Sequence, residues 1–507
     1  MNTPSRITRR RALQSLTATA FASAVMNPLA VLHAADAGKA TAIDIGSHRE
    51  LFVDDFLIER MAGAELKLHK PEPHDVVLVC DAPWEGNTCA YFTFFRDDDR
   101  FRAYYRGLHY REGSKLSQPQ VTKGVGGQLL TKGELAHPQV TCYAESKDGN
   151  TWTKPQLGLR EFSGSKDNNI VWATTSVSHN FTPFKDGNPA CASDARYKAL
   201  AIDTTTLNGK KKDCLNAFKS PDGIHWMLLQ EAVITTGSFD SQNLAFWDSA
   251  RGEYRAYWRS GAPTGERGVR TATSKDFIHW ENQADLKYGD SPPEHVYTNA
   301  VMPYFRAPHL FIGFPTRFDP KTEQVEPVFM TSRDGVLFRR WAEELIPITA
   351  PKDRDGNRSN YMTWGLLQLP GNDRELSVYA TEANLRVATR VRRFTFRIDG
   401  FVSVHAAGKG ELLTKPLHFA GRTLELNCRT AAQGIISVEI QDTDGKPLPG
   451  FALADSQPMS GDEIVHHVNW KGGSDVSALA GKPVRLRFML RDADLYSFRF
   501  ADKEAQP

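Results

Sequence analysis

The sequence predicts an all-β chain, a five-bladed β-propeller followed by a C-terminal β-sandwich. Three observations predict it. A seven-residue turn recurs four times, a pattern of paired strands recurs five times, and no long helical period follows the N-terminal segment.

The turn reads Ser-Lys-Asp-Gly-Asn-Thr-Trp at 146–152, Ser-Pro-Asp-Gly-Ile-His-Trp at 220–226, Ser-Lys-Asp-Phe-Ile-His-Trp at 274–280 and Ser-Arg-Asp-Gly-Val-Leu-Phe at 332–338. Each copy follows a short strand-like run, so each is expected to join two strands. The Asp carboxylate can accept backbone N–H bonds within such a turn, and Gly permits a positive φ there. The closing Trp or Phe covers the hairpin. These four aspartates are therefore expected to be structural.

Upstream of each turn stands a strand, a polar turn and a second strand rich in aromatics. Ala90–Phe95 with Phe101–Arg106 is the clearest pair, and Leu244–Trp247 with Tyr254–Arg259 repeats it. Weaker copies begin at Asn180, Val301 and Gly365. Two hairpins in series make a four-stranded blade, and radial repetition protects the sheet edges. The segment Glu50–Glu59 is expected to supply a strand that closes the last blade. After Gly400 the pattern becomes short alternating strands, read as a β-sandwich. The expected organisation is a twin-arginine-type signal over 1–37, the propeller with its closing strand over 38–400, and the sandwich over 401–507. The signal rests on Arg9-Arg10-Arg11 ahead of an Ala-rich apolar run, and it implies a periplasmic or secreted protein.

Lys plus Arg number 62 and Asp plus Glu 60, a formal net charge of +2. That balance gives no electrostatic reason to expect nucleic acid, or a membrane once the signal is removed. The six cysteines lack zinc-ligand spacing. Pairing of Cys80 with Cys89 or of Cys191 with Cys214 stays open beside free thiols. No metal site and no cofactor are expected, with a structural cation in the channel left open.

Together the Ser-x-Asp-x-x-x-Trp turns, the strand ending in Phe246-Trp247 and the C-terminal sandwich resemble the invertase-like and arabinanase-like glycoside hydrolases, families 32 and 43. A Leu-Phe-Val-Asp-Asp start at 51–55 is similar to that of exported bacterial propeller proteins of the same type. The resemblance implies a carbohydrate substrate and carboxylates at the start of the innermost strands, where the blades converge. Glycoside hydrolysis needs two of them, one to protonate the leaving oxygen and one to attack or activate water. On this sequence those positions offer Glu85 in blade one, Asp240 in blade three and Glu294 in blade four as catalytic candidates. The family's Asp of Arg-Asp-Pro falls on Gln242, and none of the family's signature strings is reproduced.

Around these acids, Trp84, Asn87, His179, Gln242, Asn243, His295 and Tyr297 are candidate substrate contacts. Arg106, Arg259 and Arg317 follow aromatic strands in three blades and would suit a carboxylated or sulfated sugar. The expected function is an exported glycoside hydrolase acting on a poly- or oligosaccharide. A non-catalytic carbohydrate-binding propeller is the alternative, and a lyase acting on an acidic sugar is a third. The oligomeric state is not readable.

Overall fold

Five sheets arranged as blades carry the repeat that the sequence displays. The computed structural model describes residues 42–111, 135–261, 265–322, 324–347, 360–383 and 388–502, with the backbone alone of 122–123 and 129–130. The expected signal over 1–37 lies outside the described residues.

Blade one runs outward from Ala90–Asp97 through Arg100–Gly107 and Val140–Ser146 to Ile170–Trp172. Blade two is Thr182–Lys185, Tyr197–Leu207, Lys210–Ser220 and Met227–Ile234. Blade three is Leu244–Asp248, Glu253–Gly261, Arg267–Ser274 and Glu281–Asp285. Blade four is Val301–Tyr304, Ala307–Gly313, Val325–Ser332 and Phe338–Glu344, with His295–Val296 and Thr316–Phe318 paired as a side ribbon. In blade five, Glu375–Glu382 pairs with Thr389–Arg397, and its inner strand is reduced to the bridges Met362 to Ala380 and Leu367 to Ser377.

The strand that closes the ring is Glu72–Cys80, antiparallel to Thr389–Arg397. This corrects the expectation for Glu50–Glu59. Glu50–Leu51 instead pairs with Arg485–Ala501, and Ile58–Ala62 pairs with Val402–Thr414, both in the C-terminal region. The physical reason is packing: Phe52, Leu57 and Ile58 are buried in the C-terminal core. Inside the ring, the first and last blades also bond directly. Phe94 N–H donates to Trp364 O at 2.7 Å, and Trp364 N–H donates to Phe92 O at 2.9 Å.

The repeated turn is pinned by its own serine and aspartate, and it joins four of the blades to the one before. Asp334 Oδ1 accepts from the N–H groups of Val336 and Leu337, both at 2.8 Å, and Ser332 Oγ accepts from Gly335 N–H. The same pattern occurs at Asp148, Asp222 and Asp276. Burial works against ionisation of these four carboxyls, but their hydrogen-bond donors prevail and hold all four below the usual range. What they add to stability is therefore present above about pH 4 and lost as pH falls through the lowered values.

Each turn glycine also meets a tyrosine of the preceding blade. Tyr104 OH donates to Gly223 O at 2.8 Å, Tyr257 OH to Gly335 O at 3.0 Å and Tyr379 OH to Gly149 O at 2.8 Å. In blade two, Leu200 occupies the register of Tyr104 and Tyr257, three residues from the turn serine's partner. The turn of blade three, which lacks Gly, has Phe277 at φ +69°, buried against Phe184 and Tyr254. Gly335→Ala should therefore destabilise by about 2 kcal/mol in urea unfolding. Its Cβ would lie 2.8 Å from both Arg255 Nη1 and Tyr257 OH, at a φ of +79°.

The C-terminal region has its own core, built around Leu424, Val438, Trp470, Phe488 and Phe498. Its long strands are Val402–Thr414, Thr423–Gln441 and Arg485–Ala501. The separate strands expected near 424–427 and 436–440 are one strand with a register shift between Thr430 and Ile435. The residues between, 431–434, bulge out of the ladder, exposed at 431–433, and pairing resumes at Ile435. All six cysteines are free thiols.

Candidate functional site

The residues that open the inner strands of all five blades converge on one cavity of about 190 Å³. Blade one contributes Tyr91 and Arg106, with Tyr110 beyond its second strand; the segment before blade two contributes His179. Asp240 and Gln242 come from blade three, Tyr297 and Thr298 from blade four, and Tyr361, Thr363 and Thr381 from blade five.

Backbone strain gathers at the same entrances. Tyr91, Phe239, Ala300 and Asn360 hold φ of +56°, +47°, +43° and +74°, a left-handed region that costs non-glycine residues energy. Phe239 directly precedes Asp240, and Asn180 pins that turn by donating to the carbonyls of Phe239 and Ser241, both at 2.6 Å. At Tyr91 a register shift between Ala90 and Thr93 interrupts the inner strand.

Asp240 is the one carboxylate among the lining residues. Its Oδ1 lies 3.1 Å from His179 Nε2, and its Oδ2 lies 3.5 Å from Arg259 Nη1. A carboxylate only accepts, so Nε2 carries the proton in that bond. His179 Nδ1 faces the Gln139 side-chain amide at 3.1 Å and Arg106 Nη1 at 3.4 Å. Partial burial would raise the Asp240 pKa, but His179, Arg259 and Arg106 outweigh it and hold it below the usual carboxylate range. Burial lowers His179 below its ordinary value, and Arg106 and Arg259 reinforce that against the pull of Asp240. At neutral pH the pair is therefore an ionised carboxylate beside a neutral imidazole. Burial, with Tyr297 and Asp240 nearby, keeps the Tyr91 phenol protonated.

Each of two arginines lies over an aromatic ring. Arg106 is 4.8 Å from the Tyr91 centroid and Arg259 is 4.4 Å from that of Tyr297. Arg259 is otherwise committed, to Asp240 and to the Tyr297 carbonyl at 3.0 Å.

The other expected catalytic acids lie elsewhere. Glu85 is fully buried, accepting from Tyr105 OH at 2.5 Å, Lys154 Nζ at 2.7 Å and Ala82 N–H at 2.9 Å. It does not line the cavity. Glu294 lies in a separate groove with His295 and Arg317, bound to Arg317 at 3.3 Å and Arg340 at 3.2 Å. The structure therefore does not bring the three carboxylates together. Glu85→Gln should cost about 2 kcal/mol of stability, because it removes the buried half of the Lys154 charge pairing and leaves only the exposed Asp81 at 3.0 Å. Ligand binding by the folded fraction should stay unchanged, and chemical denaturation beside a binding isotherm checks both.

The expected substrate contacts divide in the same way. His179, Gln242, Tyr297 and Arg106 line the cavity. Gln242 also spans to blade one, donating to Phe92 O and Thr93 Oγ1 at 3.1 Å. Asn87 exchanges two 3.0 Å bonds with the Tyr110 backbone and so holds a lining residue. Asn243 is buried and donates to Phe239 O, and Trp84 donates to Asn169. His295 accepts from Arg267 N–H, and Arg317 is engaged by Glu326 and Glu294. The sequence does not point to Tyr91, Tyr110 or Thr381 as contacts; Tyr361 and Thr363 stand in the polar opening of blade five, ahead of its inner strand, as the sequence leads one to expect. Among the described residues no three His, Cys, Asp or Glu side chains group to hold a metal ion.

No protein-family model and no curated protein matches the chain. Solved structures do. One described as a glycoside hydrolase is 13% identical, covering 65% of this chain and 92% of its own, with a TM-score of 0.42. A GH32 β-fructofuranosidase of Bombyx mori is 11% identical, covering 86% and 94%, with a TM-score of 0.39. An endo-arabinase from Bacteroides thetaiotaomicron is 11% identical, covering 64% and 98%, with a TM-score of 0.38. The five blades are read from this chain's own sheets.

Proposed function

We propose that the chain is a glycoside-hydrolase-like, carbohydrate-active protein whose reaction centre is the Asp240–His179 pair at the mouth of the propeller channel. One observation carries the reading. A single polar concavity is built by all five blades and holds an ionised carboxylate, an imidazole and several tyrosines within reach of one bound molecule. The tyrosine rings offer apolar faces for a sugar ring, and the threonine and phenol hydroxyls offer hydrogen bonds to its hydroxyls. Asp240, ionised, suits a base, a nucleophile or a stabiliser of positive charge on the ring. It does not suit the acid role, and neither does a neutral His179, so proton delivery falls to the substrate itself or to water. The basic N-terminal segment supports export to the periplasm or beyond, where polymeric sugars are met.

A second reading, a sugar-binding propeller without turnover, is favoured by the presence of one lining carboxylate where two-carboxylate hydrolysis requires a pair. A screen of polysaccharides and aryl glycosides against the native protein and Asp240→Asn separates the two. Turnover that Asp240→Asn abolishes, with binding kept, supports the enzyme. Binding without turnover in the native protein supports the binding module. Turnover unaffected by Asp240→Asn removes this site from the reaction.

A further inference from the structure

Arg106 forms no ion pair among the described residues. It is 8% exposed and lines the cavity, yet no carboxylate among the described residues comes within ion-pair distance of it. Its Nε has no hydrogen-bond partner there, and Nη1 has only the long contact to His179. A guanidinium withdrawn from water is costly without a close counter-charge, and Asp240 acts on Arg106 only at longer range, without an ion-pair contact. The other two candidate arginines show the ordinary outcome: Arg317 sits between Glu326 and Glu294, and Arg259 beside Asp240. Asp240 itself is answered by Arg259 and His179. The Tyr91 ring lies beneath the Arg106 guanidinium, on a backbone held in the left-handed region.

Resting on the carbohydrate reading above, we propose that Arg106 is the seat of an oxyanion carried by the sugar, a carboxylate or a sulfate ester, so that the ligand is an acidic saccharide. The planar guanidinium matches either group. The sugar ring then lies among the tyrosines, with Asp240 beyond the anion. Asp240 thus repels the very group that Arg106 attracts, which gives the two residues opposite effects on affinity.

The test is a panel of uronate-containing and sulfated oligosaccharides, each beside a neutral counterpart, with inorganic phosphate as a bare anion. Binding is measured to the native protein, Arg106→Gln, Arg106→Lys and Asp240→Asn, each checked by thermal melting. Acidic saccharides should bind and their neutral counterparts should not. Arg106→Gln should weaken acidic binding roughly ten- to a hundredfold, and Arg106→Lys by less. Asp240→Asn, at an exposed side chain, should tighten it by about three- to tenfold. Uronate against sulfate within the panel tells which group is carried. If neutral counterparts bind equally well, or Arg106→Gln stays within about threefold of native, the inference falls while the sugar site stands. Weaker acidic binding in Asp240→Asn overturns it as well, even if the Arg106 variants fail to fold. Should phosphate alone bind, or nothing at all, the carbohydrate reading and the inference fall together.

Discussion

Asp240→Asn should lower kcat by about 10²- to 10⁴-fold, the range spanned by single groups that handle a proton or stabilise charge at the reacting bond. The amide keeps the size of the side chain and its bond distance to Arg259, but removes the negative charge that His179 and Arg259 face. The Asp240 side chain is 65% exposed, so unfolding stability should change by less than about 1 kcal/mol, which separates chemistry from folding. The pH profile of the native protein should be flat through neutrality and fall on the acid side. The productive pair is an ionised Asp240 and a neutral His179, and both groups are held below their ordinary values. Protonation of His179 therefore begins below its ordinary 6.5, and Asp240 follows at lower pH. Initial rates across pH, with melting curves for both proteins, check the prediction. A kcat within about threefold of native would remove Asp240 from the chemistry.

The wheel was legible because its signals are local. Ser332, Asp334 and Gly335 serve one another within three residues, and the same triplet recurs at Ser146 and Ser220. Asp240 was legible for a related reason, standing just ahead of the apolar run Leu244–Asp248 that forms an inner strand. The failures are non-local. Glu85 is occupied by Tyr105 and Lys154, which lie 20 and 69 positions away, and no spacing rule announces either partner. Glu294 stands just before a side ribbon in which His295 and Val296 pair with Phe318 and Arg317, so the chain reaches the cavity only at Tyr297 and Thr298. Tyr91 reads as one more strand aromatic, and only its left-handed φ and the broken register set it apart. The closing strand was missed because Glu72–Cys80, on the outside of its blade, is buried only at Leu78 and Cys80 and carries Pro73, which weakens the alternation that marks a strand. The apolar residues of Glu50–Glu59 are divided between two cores, Phe52, Leu57 and Ile58 in the C-terminal one and Leu51 and Val53 in that of the propeller.

Asp399→Ala should destabilise the protein by about 3–5 kcal/mol, the cost of breaking a buried charge cluster from one side. Asp399 is fully buried at the turn where Thr389–Arg397, the last propeller strand, gives way to Val402–Thr414. Its carboxylate accepts from Tyr304 OH at 2.6 Å and Arg306 Nε at 2.9 Å in blade four, and from Ser497 Oγ at 2.9 Å and Asn427 Nδ2 at 3.3 Å in the C-terminal strands. Arg49 lies 3.6 Å away, 4% exposed at its side chain. Burial would raise the Asp399 pKa, but Arg306, Arg49 and these hydroxyls hold it below the usual range. Its contribution is therefore present above about pH 4 and lost as pH falls through the lowered value. Alanine would leave Arg306 without its carboxylate and place a Cβ-bearing apolar residue at φ +59°, which Asp tolerates better. Asn, which keeps that tolerance and part of the bonding, should cost less than Ala. Because one carboxylate joins both β-regions, its loss should also divide a single unfolding transition into two. Denaturation followed by total tryptophan fluorescence, and again with Trp470→Phe to silence the C-terminal core, would resolve them. If Asp399→Ala loses less than about 1 kcal/mol and still unfolds in one step, the two cores are coupled by their packing at Phe401 and Val402 rather than by this charge.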